Sequence, residues 1–219
     1  MIYLEEKFNL LPAHPENLEK FVKFAQEKLV PVCERLGTRI VVAWTENIEW
    51  FCQVTQIMEF NDIEALKTFR LNASQDSGWG EYAAQLEEFA PERRSRLLEP
   101  LGPILPEKLQ AAIEASKKSP QKVYGIATLE VAPNKMNQFI EGFELGIKNK
   151  SPLTELIIAA WRPIGGSPNE VIDLWKTYQP PQDFLPVNDL SRQFFRPLRE
   201  NAPKEHYRGV AALAYSELL

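Results

Sequence analysis

The chain is short of the residues that most often carry chemistry. Of 219 residues only two are histidine and two are cysteine. Cys33 and Cys52 are too few for a disulfide framework, and they fit a reducing compartment. A basic tract is also missing. Lys and Arg number 25 against 30 Asp and Glu, so the chain lacks the clustered cations that neutralise a phosphate backbone. The net charge of −5 arises in the first part: residues 1–120 hold 14 basic and 19 acidic groups, residues 121–219 hold 11 of each. No apolar run approaches the roughly 20 residues of a membrane-spanning helix. The opening Met1-Ile2-Tyr3-Leu4-Glu5-Glu6-Lys7 shows no basic stretch followed by an apolar core, so no signal peptide is read. These absences predict a cytoplasmic protein with neither nucleic acid nor membrane as partner.

Nucleotide and nucleophile motifs are absent as well. Gly165-Gly166-Ser167 is the sole double glycine, and it joins two strand-like runs. A phosphate loop would open a helix instead, so these glycines read as a hairpin turn. No G-x-S-x-G elbow occurs. Cys33 falls on an apolar helical stripe and Cys52 starts a strand, so both read as small core residues and no metal site is predicted. His14 and His206 could each serve as a general base near the ordinary imidazole pKa. Each also reads as a solvated loop residue, and that reading is adopted. The stripe Arg192, Arg196, Arg199 and the cluster Arg93-Arg94-Ser95-Arg96 are read as solvated faces.

What is present is a repeat. Ile40-Val41-Val42-Ala43-Trp44 matches Ile157-Ile158-Ala159-Ala160-Trp161 at an offset of 117, which also relates Val54, Ile57 and Met58 to Val171, Leu174 and Trp175. The preceding helix matches at 118: Leu18, Phe21, Val22, Ala25 and Leu29 fall on Met136, Phe139, Ile140, Phe143 and Ile147. The opening strand matches at 121, Ile2-Tyr3 on Val123-Tyr124. Three blocks in one order, with loop-sized changes of offset, indicate duplicated domains rather than a solenoid.

Each copy reads β-α-β-β-α-β. Residues 1–10 alternate, as a strand does. Apolar residues 18, 21, 22, 25, 29, 32, 33 and 36 keep helical spacing, and Gly37 ends that helix. Strands follow over 39–45 and 52–60, with Glu46 to Glu49 as the turn. Asn61-Asp62 caps a helix over about 62–72, Trp79 to Phe89 continues as a second helical piece, and 95–99 is the last strand. Pro100, Pro103 and Pro106 stiffen the join, and Glu107 to Lys118 reads as a linking helix. The second copy is expected as strand 122–132, helix 134–149, strands 154–162 and 169–178, helix about 187–200, and strand 208–217. The domain boundaries so read are 1–100, a linking 101–121, and 122–219.

In such a unit the helices cover one face of the sheet, and the other face needs a partner unless it is polar. Here both parities of the Trp-ending strands are apolar. The expected architecture is therefore α+β: two tandem ferredoxin-like units packed sheet to sheet as an α+β barrel, a monomeric pseudo-dimer or part of a homo-oligomer.

The segments Ile2-Tyr3-Leu4-Glu5, the helix through Leu36-Gly37, Val41-Val42-Ala43-Trp44-Thr45-Glu46 and Asp76-Ser77-Gly78-Trp79-Gly80-Glu81-Tyr82 resemble NIPSNAP-type domains of the dimeric α+β barrel superfamily. The resemblance spans 1–100; over 122–217 only the β-α-β-β skeleton and Trp161 persist. It implies the barrel fold and a range of activities that includes cofactor-free monooxygenases, haem-degrading enzymes and isomerases. Neither histidine stands where that superfamily's haem-binding members place an axial ligand, so no cofactor is expected.

The face away from the helices is the expected site. It is predicted to carry Tyr3 and Glu5 in the first copy and Tyr124 in the second. The Trp-ending strands add Trp44 and Trp161, and the third strands add Gln56 with Met58 and Asp173 with Trp175. A largely aromatic lining with few polar groups suits a small hydrophobic or aromatic molecule. Glu5 and Asp173, if desolvated, are the acid–base candidates for a cofactor-independent oxygenase or isomerase. The alternative is a non-enzymatic protein whose sheet faces serve association only, with these residues as filling.

Overall fold

The computed structural model describes residues 1–48, 51–102, 104–178, 189, 196 and 198–219. The expected turn at 49 and, from the expected helix over 187–200, Leu190, Arg192, Phe194, Phe195 and Pro197 lie outside the described residues.

The first β-α-β-β-α-β series is β1 (Ile2–Leu10), α1 (Pro15–Phe24), a π-helical turn (Ala25–Leu29), α2 (Val30–Arg35), β2 (Arg39–Ile48), β3 (Phe51–Phe60), α3 (Ile63–Ala73), α4 (Ser77–Phe89) and β4 (Glu92–Pro100). After α5 (Pro106–Lys118) come β5 (Val123–Glu130), α6 (Met136–Lys148), α7 (Pro152–Leu156), β6 (Ile157–Pro163), β7 (Glu170–Trp175) and β8 (Lys204–Ala212). Several expectations shift. β2 continues to Ile48 through most of the expected turn, and β4 starts at Glu92 where a strand was expected from residue 95. Residues 154–156 are helical where a strand was predicted: Ser151-Pro152 opens a turn, because proline suits a first helical position. The last strand starts at Lys204 and ends at Ala212, so residues 213–217 are not strand.

The eight strands hydrogen-bond in the closed order β1-β3-β2-β8-β5-β7-β6-β4. The chain forms two compact units. Unit 1 comprises Met1–Leu98, Ile113–Lys122 and Ala211–Leu219; unit 2 comprises Glu99–Ala112 and Val123–Val210.

The duplication extends to register. In unit 1, Ile40 faces Met58, Ala43 faces Gln56 and Trp44 faces Thr55; in unit 2, Ile157 faces Trp175, Ala160 faces Asp173 and Trp161 faces Ile172. Each pair is its counterpart plus 117. The register breaks between Ile40 and Val42 and again between Ile157 and Ala159, so even the β-bulge is repeated. Glu6 opposite Gln56 becomes Ala127 opposite Asp173.

The helix-covered face of unit 1 holds an aromatic core. Phe21 meets Phe8 at 5.9 Å, Phe89 at 5.8 Å and Tyr215 at 6.1 Å between ring centroids. Phe24 stacks on Tyr82 and on Phe89, each at 5.2 Å. The first helix is interrupted for a local reason. Pro31 has no N–H to give to the carbonyl four residues back, and its ring crowds that carbonyl. The backbone widens by one residue, with the Val30 N–H bonded to the Ala25 oxygen. Gly37 at φ 76° then closes α2 in the left-handed region, as predicted. Asp62 and Asp76 cap α3 and α4, accepting from the Ala65 and Trp79 N–H groups at 2.8 Å each. Arg35 holds the Asp76 carboxyl below its usual pKa through their hydrogen bonds, so the aspartate of the NIPSNAP-like segment serves a helix start.

In unit 2, Phe139 and Phe143 pack edge to face at 5.0 Å. The Tyr207 ring occupies the space over Gly125. A Cβ there would lie 2.5 Å from the Tyr207 hydroxyl and 3.0 Å from the Thr177 carbonyl. Gly125→Ala is therefore expected to cost about 1–3 kcal/mol of stability, measurable by urea unfolding, because a stiff ring must move in a packed core. An unchanged midpoint would show that the ring relocates freely.

Candidate functional site

Period-two alternation and register together assign each predicted site residue to a face. Residues directly opposite in an antiparallel pair share a face. Tyr3, Glu5 and Trp44 of unit 1, and Tyr124 and Trp161 of unit 2, lie away from the helices, as expected. The other four do not. Gln56 faces Glu6 and Met58 faces Leu4, on the helix-covered side. Asp173 faces Ala127 and Ala160, and Trp175 packs with Phe139 and Phe143, again on the helix-covered side. Shifting the pairing by one residue moves every side chain to the opposite face, and the true register sets Gln56 beside Glu6 rather than Glu5.

Glu5 is buried and committed. Arg96 donates to its carboxylate from Nε and, at 3.3 Å, from the terminal nitrogen, and Lys7 stands at 3.8 Å. Arg96 is thus an ion-pair partner and not the solvated residue read from the sequence. Removing one member of such a pair leaves an uncompensated charge. Arg196 and Arg199 pair with Glu200 and Glu205. His14 is exposed beside Glu16, while His206 lies within β8 and lines a groove of about 470 Å³ in unit 2 with Glu205 and Glu130.

The convergent polar groups of unit 1 sit under the helices. Gln56 is fully buried. Its amide nitrogen donates to Glu6 at 2.9 Å, and its amide oxygen accepts from the Tyr215 hydroxyl at 2.9 Å. Glu6 is half-buried over the whole residue, but its carboxyl is closely surrounded by protein. That desolvation raises its pKa, opposed by the Gln56 bond and by Arg93 and Arg70. Tyr82 lies in the same cluster. Its hydroxyl is buried without a hydrogen bond of full geometry, and its pKa is pushed well up by burial, with Glu6 and Tyr215 adding to the shift. Burial also pushes the Cys33 thiol up to about 12, so Cys33 is no nucleophile there.

Beside this cluster runs a groove of about 340 Å³, lined by Gln26 of the π-turn, Cys33, Arg39, Tyr215 and Glu217 among others. The segment after β8 forms one wall. Gln26 donates to the Ala214 carbonyl at 3.2 Å, and Arg39 pairs with Glu217 at 3.0 Å. Sequence reading missed Glu6, Tyr82 and Tyr215. A lone glutamate at a core-side position of the alternating first strand was the available signal for Glu6. The two tyrosines had none, because they arrive from α4 and from the C-terminal segment.

Unit 2 carries one buried acid on the same rung. Asp173 is buried, and desolvation, with a further contribution from Glu205, holds its pKa well above the usual range. Its Oδ1 and the Trp175 indole N–H have no hydrogen-bond partner. Among the described residues no three His, Cys, Asp or Glu converge to hold a metal ion, and no helix is long and apolar enough to cross a membrane.

Solved structures share this architecture over nearly the whole chain. A candidate monooxygenase from Lactobacillus acidophilus is similar at 10% identity, with 98% of this chain and 95% of that chain covered and a TM-score of 0.63. A second, from Fusobacterium nucleatum, gives 10% identity, 97% and 92% coverage and a TM-score of 0.60. The chain has the α+β barrel fold. An uncharacterised NIPSNAP domain protein from Burkholderia xenovorans is similar at 15% identity over 47% of this chain and 96% of its own, with a TM-score of 0.40. No family model matches the chain, and no curated protein matches it.

Proposed function

We propose that unit 1 binds a small, largely aromatic molecule between its sheet and its helices, reached from the groove beside the π-turn. Glu6, Gln56, Tyr215 and Tyr82 supply its polar contacts. The observation that carries this reading is the Tyr82 hydroxyl: buried, close to Gln56 but without a hydrogen bond of full geometry, and adjacent to an otherwise bonded chain of polar groups. Native cores rarely leave such a group unsatisfied, because it costs about 1–3 kcal/mol. A bound molecule would satisfy it. Of the four residues only Tyr215 lines the adjacent groove of about 340 Å³, which is the way in and not the site itself.

A carboxyl whose pKa is raised by burial is a stronger base when ionised than an ordinary carboxylate, which suits it to proton transfer. Taken from a carbon beside a carbonyl, the proton leaves an enolate, which returns a proton at another carbon in an isomerisation or reacts with O2 in an oxygenation. Neither route needs a bound cofactor. The α+β barrel fold shared with candidate monooxygenases is compatible with this chemistry and selects no reaction by itself.

The test is native mass spectrometry of gently purified protein, paired with Tyr82→Phe. A co-purified small molecule is expected, and it should be depleted in the variant. The empty variant should be more stable than wild type stripped of the molecule by about 1 kcal/mol, because a buried orphan is gone. Retention of the molecule by Tyr82→Phe, or destabilisation of the variant, would instead make Tyr82 a structural residue.

A further inference from the structure

The polar chain of unit 1 has a direction. An ionised carboxylate only accepts, so Glu6 turns the Gln56 amide nitrogen toward itself. The amide oxygen then points at Tyr215, and the Tyr215 hydroxyl must spend its one proton on it. In this arrangement Tyr215 has no donor left for anything else. A protonated Glu6 is instead a donor. It bonds best to the amide oxygen, so the amide turns over, its nitrogen donates to the Tyr215 oxygen, and the Tyr215 proton is released.

We propose that Glu6 is the polarity switch of the unit 1 site, and that the site takes a molecule whose polar end is a carbonyl-type acceptor. Tyr82 offers one buried hydroxyl that makes no hydrogen bond of full geometry, with only Gln56 close by; uptake of a proton by Glu6 adds Tyr215 as a second donor. The proposal rests on the ligand site argued above and names the chemistry that site selects. It also links two events. When Glu6 takes a proton from a carbon beside a ligand carbonyl, the C–H bond breaks. Its electron pair moves onto the carbonyl oxygen as an enolate, and Glu6 becomes neutral. The resulting turn of Gln56 frees a Tyr215 hydrogen bond for the oxygen that has just gained charge.

The groups facing Glu6 support a titration in this setting. Burial disfavours its charge, while Arg93 from β4 and Arg70 from α3 favour it. Cys33 from α2, Tyr82 from α4 and Tyr215 from the C-terminal segment are held neutral, because their own pKa values are pushed up. Glu6 is therefore the first group in this cluster to change charge as pH rises. The design is absent from unit 2, where Ala127 replaces Glu6 on the same rung.

The test compares acetophenone with ethylbenzene, which has a similar shape but no acceptor. As pH falls through the Glu6 transition, the acetophenone to ethylbenzene affinity ratio should rise about fivefold, the worth of one ordinary hydrogen bond. In Glu6→Gln, whose amide can always donate, the ratio should stay high and flat; in Gln56→Met, which removes the acceptor that occupies the Tyr215 proton, it should also stay high and flat. Independently of any probe, the Gln56 side-chain amide NMR signals should titrate in the wild type and not in Glu6→Gln. A flat wild-type ratio with both probes bound, or a Gln56 amide that does not titrate, overturns the switch while leaving the binding site intact. If neither probe binds, and the wild type also carries no co-purified molecule, the functional assignment fails and the switch fails with it.

Discussion

A chain stopped after Ala212 should lose the cooperative unfolding of unit 1. The seven residues removed look like a terminal appendage, but they are core. Leu213, Tyr215 and Leu218 are all buried, and Leu213 and Tyr215 pack in the same cluster as Phe21, Phe24 and Tyr82. The backbone N–H groups of Leu213, Glu217 and Leu218 donate to the carbonyls of Ala43, Ile40 and Val41 at 2.9–3.1 Å. These bonds satisfy the β2 edge on both sides of its bulge. Deleting a buried large side chain costs about 2–5 kcal/mol, so three of them approach the roughly 5–15 kcal/mol that stabilises a whole domain. The expected result is loss of near-UV circular dichroism and a broad, early urea transition. A truncated chain unfolding within about 1 kcal/mol of the full chain would show that the segment only rests on unit 1.

The second large effect is a dependence of stability on pH that Asp173→Asn removes in part. Burial raises the Asp173 pKa in the folded chain above its ordinary 3.8, so the unfolded chain gives up this proton first as pH rises. The contribution is therefore fully present in acid, below about pH 4, and declines as pH rises toward the folded pKa. Each pH unit across that window lowers stability by about 1.4 kcal/mol for this one proton. Asparagine is nearly the same shape and does not titrate. The variant should thus match the wild type near pH 4 and exceed it by a margin that grows at about that slope toward neutrality. Glu6 and Glu205 are also raised by burial, so a weaker slope should persist in the variant. Chemical denaturation at several pH values measures both slopes, and equal slopes would mean that Asp173 is ionised in the folded chain.

The two expectations bear on function from opposite sides. Tyr215 belongs simultaneously to the core and to the polar chain that ends at Glu6, so the segment that stabilises unit 1 also completes its candidate site. Asp173 is the reverse case: an acid held at a cost, on the same rung, in the copy that lacks Glu6. Each copy retains one buried carboxyl on the helix-covered face, carried by β1 in unit 1 and by β7 in unit 2. Where natural sequences keep a costly buried group, function is the usual reason.

How much of this was legible in the chain depends on the distance over which each signal acts. The alternation of residues 1–10, the stripe ending at Gly37 and the Asp62 cap are local, and the structure repeats them within a residue or two. The 117-residue offset went further: because both copies share spacing, the cross-strand pairs and even the bulges recur at that offset. Local pattern also carried the element order, the duplication and the α+β barrel. Side-chain period alone could not say which residue of β1 stands opposite Gln56. Strand register is decided by how the whole sheet and its helices close over the core, and a slip of one residue exchanges the faces. That is why Gln56, Met58, Asp173 and Trp175 were expected on one side and lie on the other. The meeting of Glu6, Gln56, Tyr82 and Tyr215, separated by up to 209 positions from first to last, exists only once the C-terminal segment has crossed back into unit 1.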